Sequence, residues 1–141
     1  MCKNKMCLKF TAISENESFA RLAVASFCSN ENLNVDEISD IKTAVSEAVT
    51  NAIVHGYDNN TGDIEIECKI SGQSIEISVV DYGVGIENIH EAMKPFFTTK
   101  PDSERSGMGF TVMEGFMDKV EVVSKSGEGT KVTLIKNIHN D

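Results

Sequence analysis

Two stretches near the middle of the chain alternate strictly between apolar and polar residues, and they limit the possible fold more than any other feature. Residues 64–70 read IEIECKI and residues 75–80 read IEISVV, with the polar connection SGQS between them. A period of two places alternate side chains on opposite faces, so one face is buried and the other meets water. A short polar connection between two such strands predicts an antiparallel hairpin.

Three further strands are predicted around this hairpin. Residues 7–12 alternate in the same way, and two closing strands are expected over residues 120–123 and 131–135, joined by the turn 126–129. Because predicted helices separate these strands, the pattern indicates an α+β fold: a two-layer α/β sandwich with a mixed, mostly antiparallel sheet and helices on one face. With 141 residues, the chain is expected to form a single domain, residues 1–141.

The first predicted helix begins after Ser14. Ser14 and Glu17 have the spacing of a capping box, in which each side chain accepts a hydrogen bond from a backbone N–H of the first turn. Arg21 is expected to point away from the core. The apolar residues expected to face the core are Phe19, Leu22, Ala23 and Phe27.

The longest helical pattern begins after an N-cap at Asn34 or Asp36 and ends at Gly56, which is expected to take a left-handed conformation. One side carries the apolar stripe of Ile38, Ile41, Val45, Ala48 and Ala52. Another side carries polar residues four positions apart, namely Thr43, Glu47, Asn51 and His55. Such a flank either holds a polar ligand or simply meets water.

A further helix is expected over residues 108–117 and a short one over residues 87–93, with a mobile loop over residues 95–107.

Bulk composition excludes several classes of function. The net charge is -9, whereas binding by general attraction to nucleic-acid phosphates requires a basic surface, so direct nucleic-acid binding is not expected. Neither a signal peptide nor an apolar stretch long enough to cross a bilayer is found, so a cytoplasmic protein without membrane contact is expected. The four cysteines lack the close doublets of a metal site and are predicted to be free thiols.

Three glycine motifs follow the long helix. Residues 81–85 (DYGVG) come directly after a buried strand, where a carboxylate can accept a hydrogen bond from an exocyclic amine while glycines let the backbone approach a flat ring. Residues 105–110 (RSGMGF) lie at the start of a predicted helix, where free N–H groups and the helix dipole bind phosphate. Residues 127–130 (GEGT) most simply form a hairpin turn. Each motif alone is also compatible with an ordinary turn or hinge.

Together these motifs resemble those of the GHKL superfamily, which comprises gyrase, the ninety-kilodalton heat-shock chaperone, histidine kinases and mismatch-repair ATPases. Its N, G1 and G2 boxes and final Gly-Thr are matched, in order, by residues 47–56 (EAVTNAIVHG), 81–85, 107–109 (GMG) and 129–130. Nearly the whole chain resembles the sporulation anti-sigma F factors, a family of serine kinases, most clearly in residues 14–21, 41–51, 97–101 and 105–110. The superfamily implies a Bergerat-type ATP-binding fold.

The resemblance implies a site for ATP or ADP with Mg2+. Asn51 would hold Mg2+ through its side-chain oxygen, a hard ligand of the kind that this metal prefers. Glu47, one turn earlier, would be the catalytic base that takes the proton from a substrate serine. Asp81 would bind the adenine amine. The remaining implied nucleotide contacts are Gly83, Gly85 and Thr130 around the base, and Thr98, Thr99, Lys100, Arg105, Gly107, Met108 and Gly109 over the phosphates.

The resemblance also implies partners. It indicates a homodimer that holds the sigma F factor of RNA polymerase and phosphorylates a serine of an anti-anti-sigma factor, which inactivates that antagonist. The surface around Arg21 is a candidate partner contact, and its ordinary interpretation is a solvated arginine. Because no histidine precedes His55, the phosphoacceptor of a histidine kinase is not expected. Two alternatives stay open: a stress-response anti-sigma kinase with another sigma partner, and a nucleotide-dependent binding module without catalysis.

Overall fold

The computed structural model describes residues 2–86, 93 and 109–138. In this part of the chain, five strands form one antiparallel sheet in the order β1-β2-β3-β5-β4. The strands are β1 (Cys2–Thr11), β2 (Asp63–Ser71), β3 (Ser74–Asp81), β4 (Lys119–Lys125) and β5 (Gly129–Asn137). The helices are α1 (Glu15–Cys28), α2 (Val35–Asn51) and α3 (Gly109–Phe116), and one π-helical turn (Ala52–Gly56) continues α2. The predicted α+β class is confirmed.

The central hairpin forms as the alternation predicts. In β2 the isoleucines are buried, whereas Glu65, Glu67 and Lys69 on the opposite face are half-buried. Gly72 closes the connection to β3 with a φ of 55°. Strand β1 begins five residues earlier than the predicted start at residue 7, because its exposed first half pairs with β2 through the backbone and carries no apolar pattern.

The predicted core face of α1 is correct only in part: Phe27 is half-buried and packs against the core, but the two largest residues before it do not. Phe19 and Leu22 are 52% and 55% exposed. The buried residues of this helix are Ala20, Val24, Ala25 and Cys28. These are mostly small, and small side chains let α1 approach α2 and the sheet closely, so the inner face is decided by the space available and not by the largest apolar residues.

The capping box predicted at the start of α1 is also wrong. Ser14 has helical backbone angles, and its hydroxyl donates a hydrogen bond to Glu15 Oε1 at 3.1 Å. The backbone of the preceding turn takes over the capping role, since the Asn16 N–H donates to the Ile13 carbonyl at 3.0 Å and the Glu17 N–H to the Ser14 carbonyl at 3.2 Å.

Helix α2 begins with the capping box that α1 lacks. The Glu37 N–H donates to Asn34 Oδ1 at 2.8 Å, and the Asn34 N–H donates to Glu37 Oε1 at 3.0 Å. Of the two predicted caps, Asn34 is therefore the one used. The predicted apolar stripe is buried from Ile41 onwards, and Ile38 is half-buried.

The expected end of this helix is corrected by the structure. Gly56 does not adopt a left-handed conformation; Asp58 and Asn59 do, with φ values of 52° and 59°. The helix widens into the π-helical turn instead, in which the Tyr57 N–H donates to the Ala52 carbonyl at 2.9 Å. Such turns are frequent at functional sites.

Helix α3 and the closing strands occur where they were predicted, with Phe110 and Met113 buried under α2 and the sheet. The helix predicted over residues 87–93, apart from Met93, and the loop over residues 95–107 lie outside the described residues.

The four cysteines are free thiols, as predicted. None of the helices in the described ranges has the length and apolar character needed to span a bilayer.

Replacing Asn34 by alanine is expected to lower the free energy of unfolding by about 1 kcal/mol, because the reciprocal hydrogen bonds with Glu37 are lost. Ser14→Ala is the matched control, since Ser14 occupies the same position on α1 without capping it. The control is expected to change stability by less than about 0.5 kcal/mol. Urea unfolding curves measure both, and equal losses in the two variants would contradict this assignment.

Candidate functional site

The candidate site lies where the end of α2 meets the end of β3. Asp81, the last residue of β3, is 6% exposed and stands opposite Thr130 in the register with β5. A Cβ added to Gly56 would lie 2.8 Å from Asp81 Oδ1 and 2.9 Å from Oδ2. The absence of a side chain at Gly56 therefore makes room for the Asp81 carboxyl group.

A second glycine holds the turn after β3 against α2. A Cβ at Gly83 would overlap the carbonyl oxygen of Gly56, and the neighbouring Val84 N–H donates to that oxygen at 2.8 Å. Residues 47–56 and residues 81–85 are thus joined backbone to backbone, although Asp81 comes 25 positions after Gly56 in the chain.

Two opposing effects act on the ionisation of Asp81. Burial raises the pKa of the Asp81 carboxyl group, and hydrogen bonds from the backbone N–H groups of Gly83, at 2.9 Å, and Thr130 oppose this rise. Each carboxyl oxygen can accept more than one hydrogen bond. The group can therefore accept a further hydrogen bond from the amine of a ligand.

The turn between β4 and β5 forms another wall of the site. Gly85 has a φ of 76°, and a Cβ there would overlap the Lys125 carbonyl. Gly129 has a φ of 115°, and a Cβ there would overlap the backbone of Asp81. The Gly127 N–H donates to the Val84 carbonyl at 2.6 Å, which fixes this turn to the loop after β3.

Two residues that the sequence did not single out support these walls. Ser124 Oγ lies 2.7 Å from Thr130 Oγ1, accepts a hydrogen bond from the Ile86 N–H at 2.7 Å, and donates to the Gly129 carbonyl at 2.9 Å. Tyr57 accepts a hydrogen bond from the Tyr82 N–H at 2.8 Å. Only the hairpin register, which pairs Ser124 with Thr130, could have indicated the first of them.

The polar flank of α2 lies beside α3. Glu47 is 3% exposed, and Thr43, Asn51 and His55 are half-buried. A Cβ at Gly109, the first residue of α3, would lie 2.8 Å from Asn51 Nδ2 and 2.9 Å from Oδ1. The Asn51 amide thus faces the N-terminus of α3, where free N–H groups and the helix dipole attract anions.

Among the predicted site residues, the structure packs Asn51 against Gly109 and pairs Asp81 with Thr130. Gly83 and Gly85 hold the turn after β3, and Glu47 is buried one helical turn before Asn51. The predicted contacts Thr98, Thr99, Lys100, Arg105, Gly107 and Met108 lie outside the described residues. Arg21 lies on α1, with Nη1 3.6 Å from Glu17 Oε1 and Nη2 3.3 Å from Ser18 Oγ. Its Nε is buried and has no hydrogen-bond partner among the described residues.

A divalent metal ion would fit beside Asn51 only with additional ligands. In the described residues, no group of three or more His, Cys, Asp or Glu side chains is arranged to hold a metal ion. The Asn51 amide, with space kept open by Gly109, supplies one hard oxygen, and Mg2+ normally completes its shell with water and substrate phosphates. The donor set therefore suits Mg2+ bound together with a phosphate ligand.

Comparison with known proteins agrees with this geometry. Residues 10–136 match the model of the family described as histidine kinase-like ATPase domain. The chain is 57% identical over 136 residues to the anti-sigma F factor of Clostridium acetobutylicum, covering 96% of this chain and 95% of that protein.

Two solved structures share the fold. The RsbU and RsbW domains of Rv1364c from Mycobacterium tuberculosis give a TM-score of 0.67 at 18% identity, covering 99% of this chain and 35% of that one. The catalytic domain of the histidine kinase ThkA gives a TM-score of 0.59 at 18% identity, covering 94% of this chain and 95% of that one.

The contact between Gly83 and Gly56 predicts a large effect of a single methyl group. Gly83→Ala is expected to lower the free energy of unfolding by about 1–3 kcal/mol, because the new Cβ would overlap a backbone oxygen that cannot rotate away. Gly115→Ala on α3 is the matched control, since a Cβ there meets nothing within 4 Å. It is expected to stabilise the protein by up to about 1 kcal/mol. Denaturant unfolding compares the two, and a neutral Gly83→Ala would contradict the close contact.

The raised pKa of Asp81 predicts a pH dependence of stability. Above pH 3.8, its ordinary pKa, the carboxyl group ionises in the unfolded chain before it ionises in the folded protein. The stability of the wild type relative to Asp81→Asn is therefore expected to fall as the pH rises from 3.8 through the raised pKa, and to level off above it. Unfolding free energies of the two proteins, measured across this range, test the sign. A difference that rises with pH would show that the hydrogen bonds to the carboxylate outweigh its burial.

Proposed function

The chain belongs to the histidine kinase-like ATPase family and, within it, to the anti-sigma F factors, and on that premise we propose that it binds a sigma factor and acts as an ATP-dependent serine kinase. In this proposal the sigma factor is the sporulation factor sigma F. The substrate is a serine of an anti-anti-sigma protein, which phosphorylation inactivates. One observation carries the proposal: the buried Asp81 carboxyl group packs against Gly56, and the Asn51 amide, five residues earlier in the chain, packs against the first residue of α3.

The surroundings of Asp81 suit adenine. The Asp81 carboxylate accepts a hydrogen bond from the exocyclic amine of the base. Gly83 and Gly85 let the turn after β3 pack closely on the Gly56 and Lys125 carbonyls, which holds Asp81 in place. Thr130, whose hydroxyl lies 2.7 Å from Ser124 Oγ, stands opposite Asp81 in the strand register. A base with a carbonyl oxygen at this point would bind less well, because the oxygen and the carboxylate are both acceptors.

The region between Asn51 and Gly109 suits the phosphates. The N-terminus of α3 begins here, and its free N–H groups and dipole favour anions; the absence of a side chain at Gly109 lets Asn51 pack against it. Asn51 provides a side-chain oxygen for Mg2+, which neutralises charge on the phosphate oxygens when it is bound. Lys100, Arg105 and the neighbouring backbone are proposed to cover the phosphates, together with Thr98, Thr99, Gly107 and Met108.

Glu47 is proposed as the catalytic base. It lies one helical turn before Asn51, on the same side of α2, and is 3% exposed, which supports a role for its carboxylate close to the bound phosphates. The substrate hydroxyl oxygen attacks the γ-phosphorus and loses its proton to Glu47. A new oxygen–phosphorus bond forms while the bond to the β–γ bridging oxygen breaks, and ADP leaves.

The outer surface of α1 is proposed to contact a protein partner. Arg21 lies in the same turns of the helix as Phe19 and Leu22, which are 52% and 55% exposed. An arginine beside exposed large apolar residues has the composition of a binding surface rather than of a solvated face. The resemblance to anti-sigma F factors supports the homodimer and the single-domain organisation, which we include in the proposal.

Two substitutions on α2 test the chemistry. Glu47→Gln is expected to keep Mg-ATP binding and to slow phosphate transfer by about 10²–10⁴-fold, because proton transfer to the base is lost. Asn51→Ala is expected to weaken Mg-ATP binding at least about tenfold, because the metal loses a ligand. Radiolabelled ATP with candidate anti-anti-sigma proteins measures transfer, and calorimetry measures binding.

The matched control is Glu114→Gln, which removes an exposed carboxylate from α3 and is expected to leave both measurements unchanged. Transfer by Glu47→Gln at the wild-type rate would disprove the assigned base. Wild-type protein that binds ATP and labels no candidate would favour a nucleotide-dependent binding module. Labelling of a stress-response antagonist alone would favour the stress-response branch of these kinases.

A further inference from the structure

We propose that Lys136 is a positioning residue for the phosphate-binding helix: it fixes the C-terminal end of α3 and thereby holds the N-terminal end against Asn51. The inference rests on the proposed nucleotide site and adds a residue that lies at the opposite end of the helix from it. Lys136 belongs to β5, whose other end carries Thr130.

Lys136 is buried in spite of its charge. It is 8% exposed, and its Nζ donates a hydrogen bond to the carbonyl oxygen of Phe116 at 2.8 Å. The same Nζ lies 3.4 Å from Asp40 Oδ2 on α2. A buried ammonium group is retained only where it is paired and hydrogen-bonded, so this lysine joins β5, α2 and α3 at one point.

Helix α3 depends on such contacts for its position. It has eight residues, two of which are Gly109 and Gly115, and isolated helices of this length are not stable in water. Phe110 and Met113 bury its inner side. Apolar contacts are not directional, however, so they allow the helix to slide or tilt more readily than hydrogen bonds to its ends do.

The two ends of α3 are fixed at different points along α2. Gly109 packs on Asn51 near the C-terminal end of α2, and Phe116 is joined through Lys136 to Asp40 near its N-terminal end. The two helices therefore run in opposite directions. Over eight residues α3 is about 12 Å long, so a rotation about its middle moves both ends equally.

Electrostatics act in the same direction as this geometry. Phe116 is the last residue of α3, and its carbonyl is one of those left without a partner inside the helix. A cation at this end complements the negative end of the helix dipole, and it stabilises the helix whose positive end faces the phosphates. Lys136 thus supports phosphate binding without contacting the nucleotide.

Ligand affinities distinguish a lysine that only stabilises the fold from one that positions α3. In the proposed site, adenosine contacts only the surroundings of Asp81, whereas ATP also contacts the N-terminus of α3. Loss of the C-terminal anchor is therefore expected to weaken binding of Mg-ATP and to leave adenosine binding unchanged. General destabilisation of the fold would weaken both ligands or neither.

The experiment compares Lys136→Met with Lys131→Met, a control on the same strand whose side chain is exposed. Calorimetry of each full-length protein gives the dissociation constants for Mg-ATP and for adenosine, and urea unfolding confirms that the protein is folded. Lys136→Met is expected to weaken Mg-ATP binding about tenfold, which is 1.4 kcal/mol, with adenosine binding changed less than about twofold. Lys136→Arg, which keeps charge and donors, is expected to restore most of the Mg-ATP affinity.

Asp40→Asn provides a second route if Lys136→Met does not fold, because it removes the charge pair and keeps the hydrogen bond to Phe116. It is expected to shift the ratio of the two dissociation constants in the same direction by a smaller factor. Unchanged Mg-ATP affinity in folded Lys136→Met, or equal losses for both ligands, would overturn the inference alone. Wild-type protein that binds neither ligand would overturn the proposed function itself.

Discussion

The site depends on one close contact between backbone segments, that of the π-helical turn with the turn after β3. The Gly56 carbonyl accepts the Val84 N–H at 2.8 Å, and a Cβ at Gly83 would overlap that oxygen. Neither Gly56 nor Gly83 has a positive φ. Both glycines are therefore needed for close approach and not for conformational freedom, and their approach places the Asp81 carboxyl group next to α2.

Local patterns predicted those parts of the fold that local interactions decide. The strands β2 and β3, predicted from a period of two, and the N-cap of α2 at Asn34 were both confirmed. Each depends on interactions among a few neighbouring residues. The inner face of α1 could not be predicted in this way. Its small residues face α2, and exposed Phe19 has no local property that distinguishes it from a core residue.

The same distinction holds for the site. The spacing along α2 aligns Glu47 with Asn51, and the register of β3 with β5 pairs Asp81 with Thr130, so the types and positions of these residues were visible in the chain. The π-helical turn was not visible, because it ends where Gly56 packs against Asp81, which is distant in the chain. Ser124 was missed for a similar reason: a single hydroxyl forms no pattern, and its value depends on standing opposite Thr130.

The charge of the protein makes the placement of α3 decisive for an anionic ligand. The net charge is -9, and the described part of the site contributes the carboxyl groups of Glu47 and Asp81. In the described part of the site, attraction of a triphosphate must therefore come from the dipole of α3 and from a metal ion held nearby, and not from the overall charge of the protein. Dipoles act over short distances, so a displacement of α3 that would hardly alter stability alters the potential at the phosphates. A short helix containing two glycines can meet this requirement only if both of its ends are fixed, which is the arrangement that Asn51 and Lys136 provide.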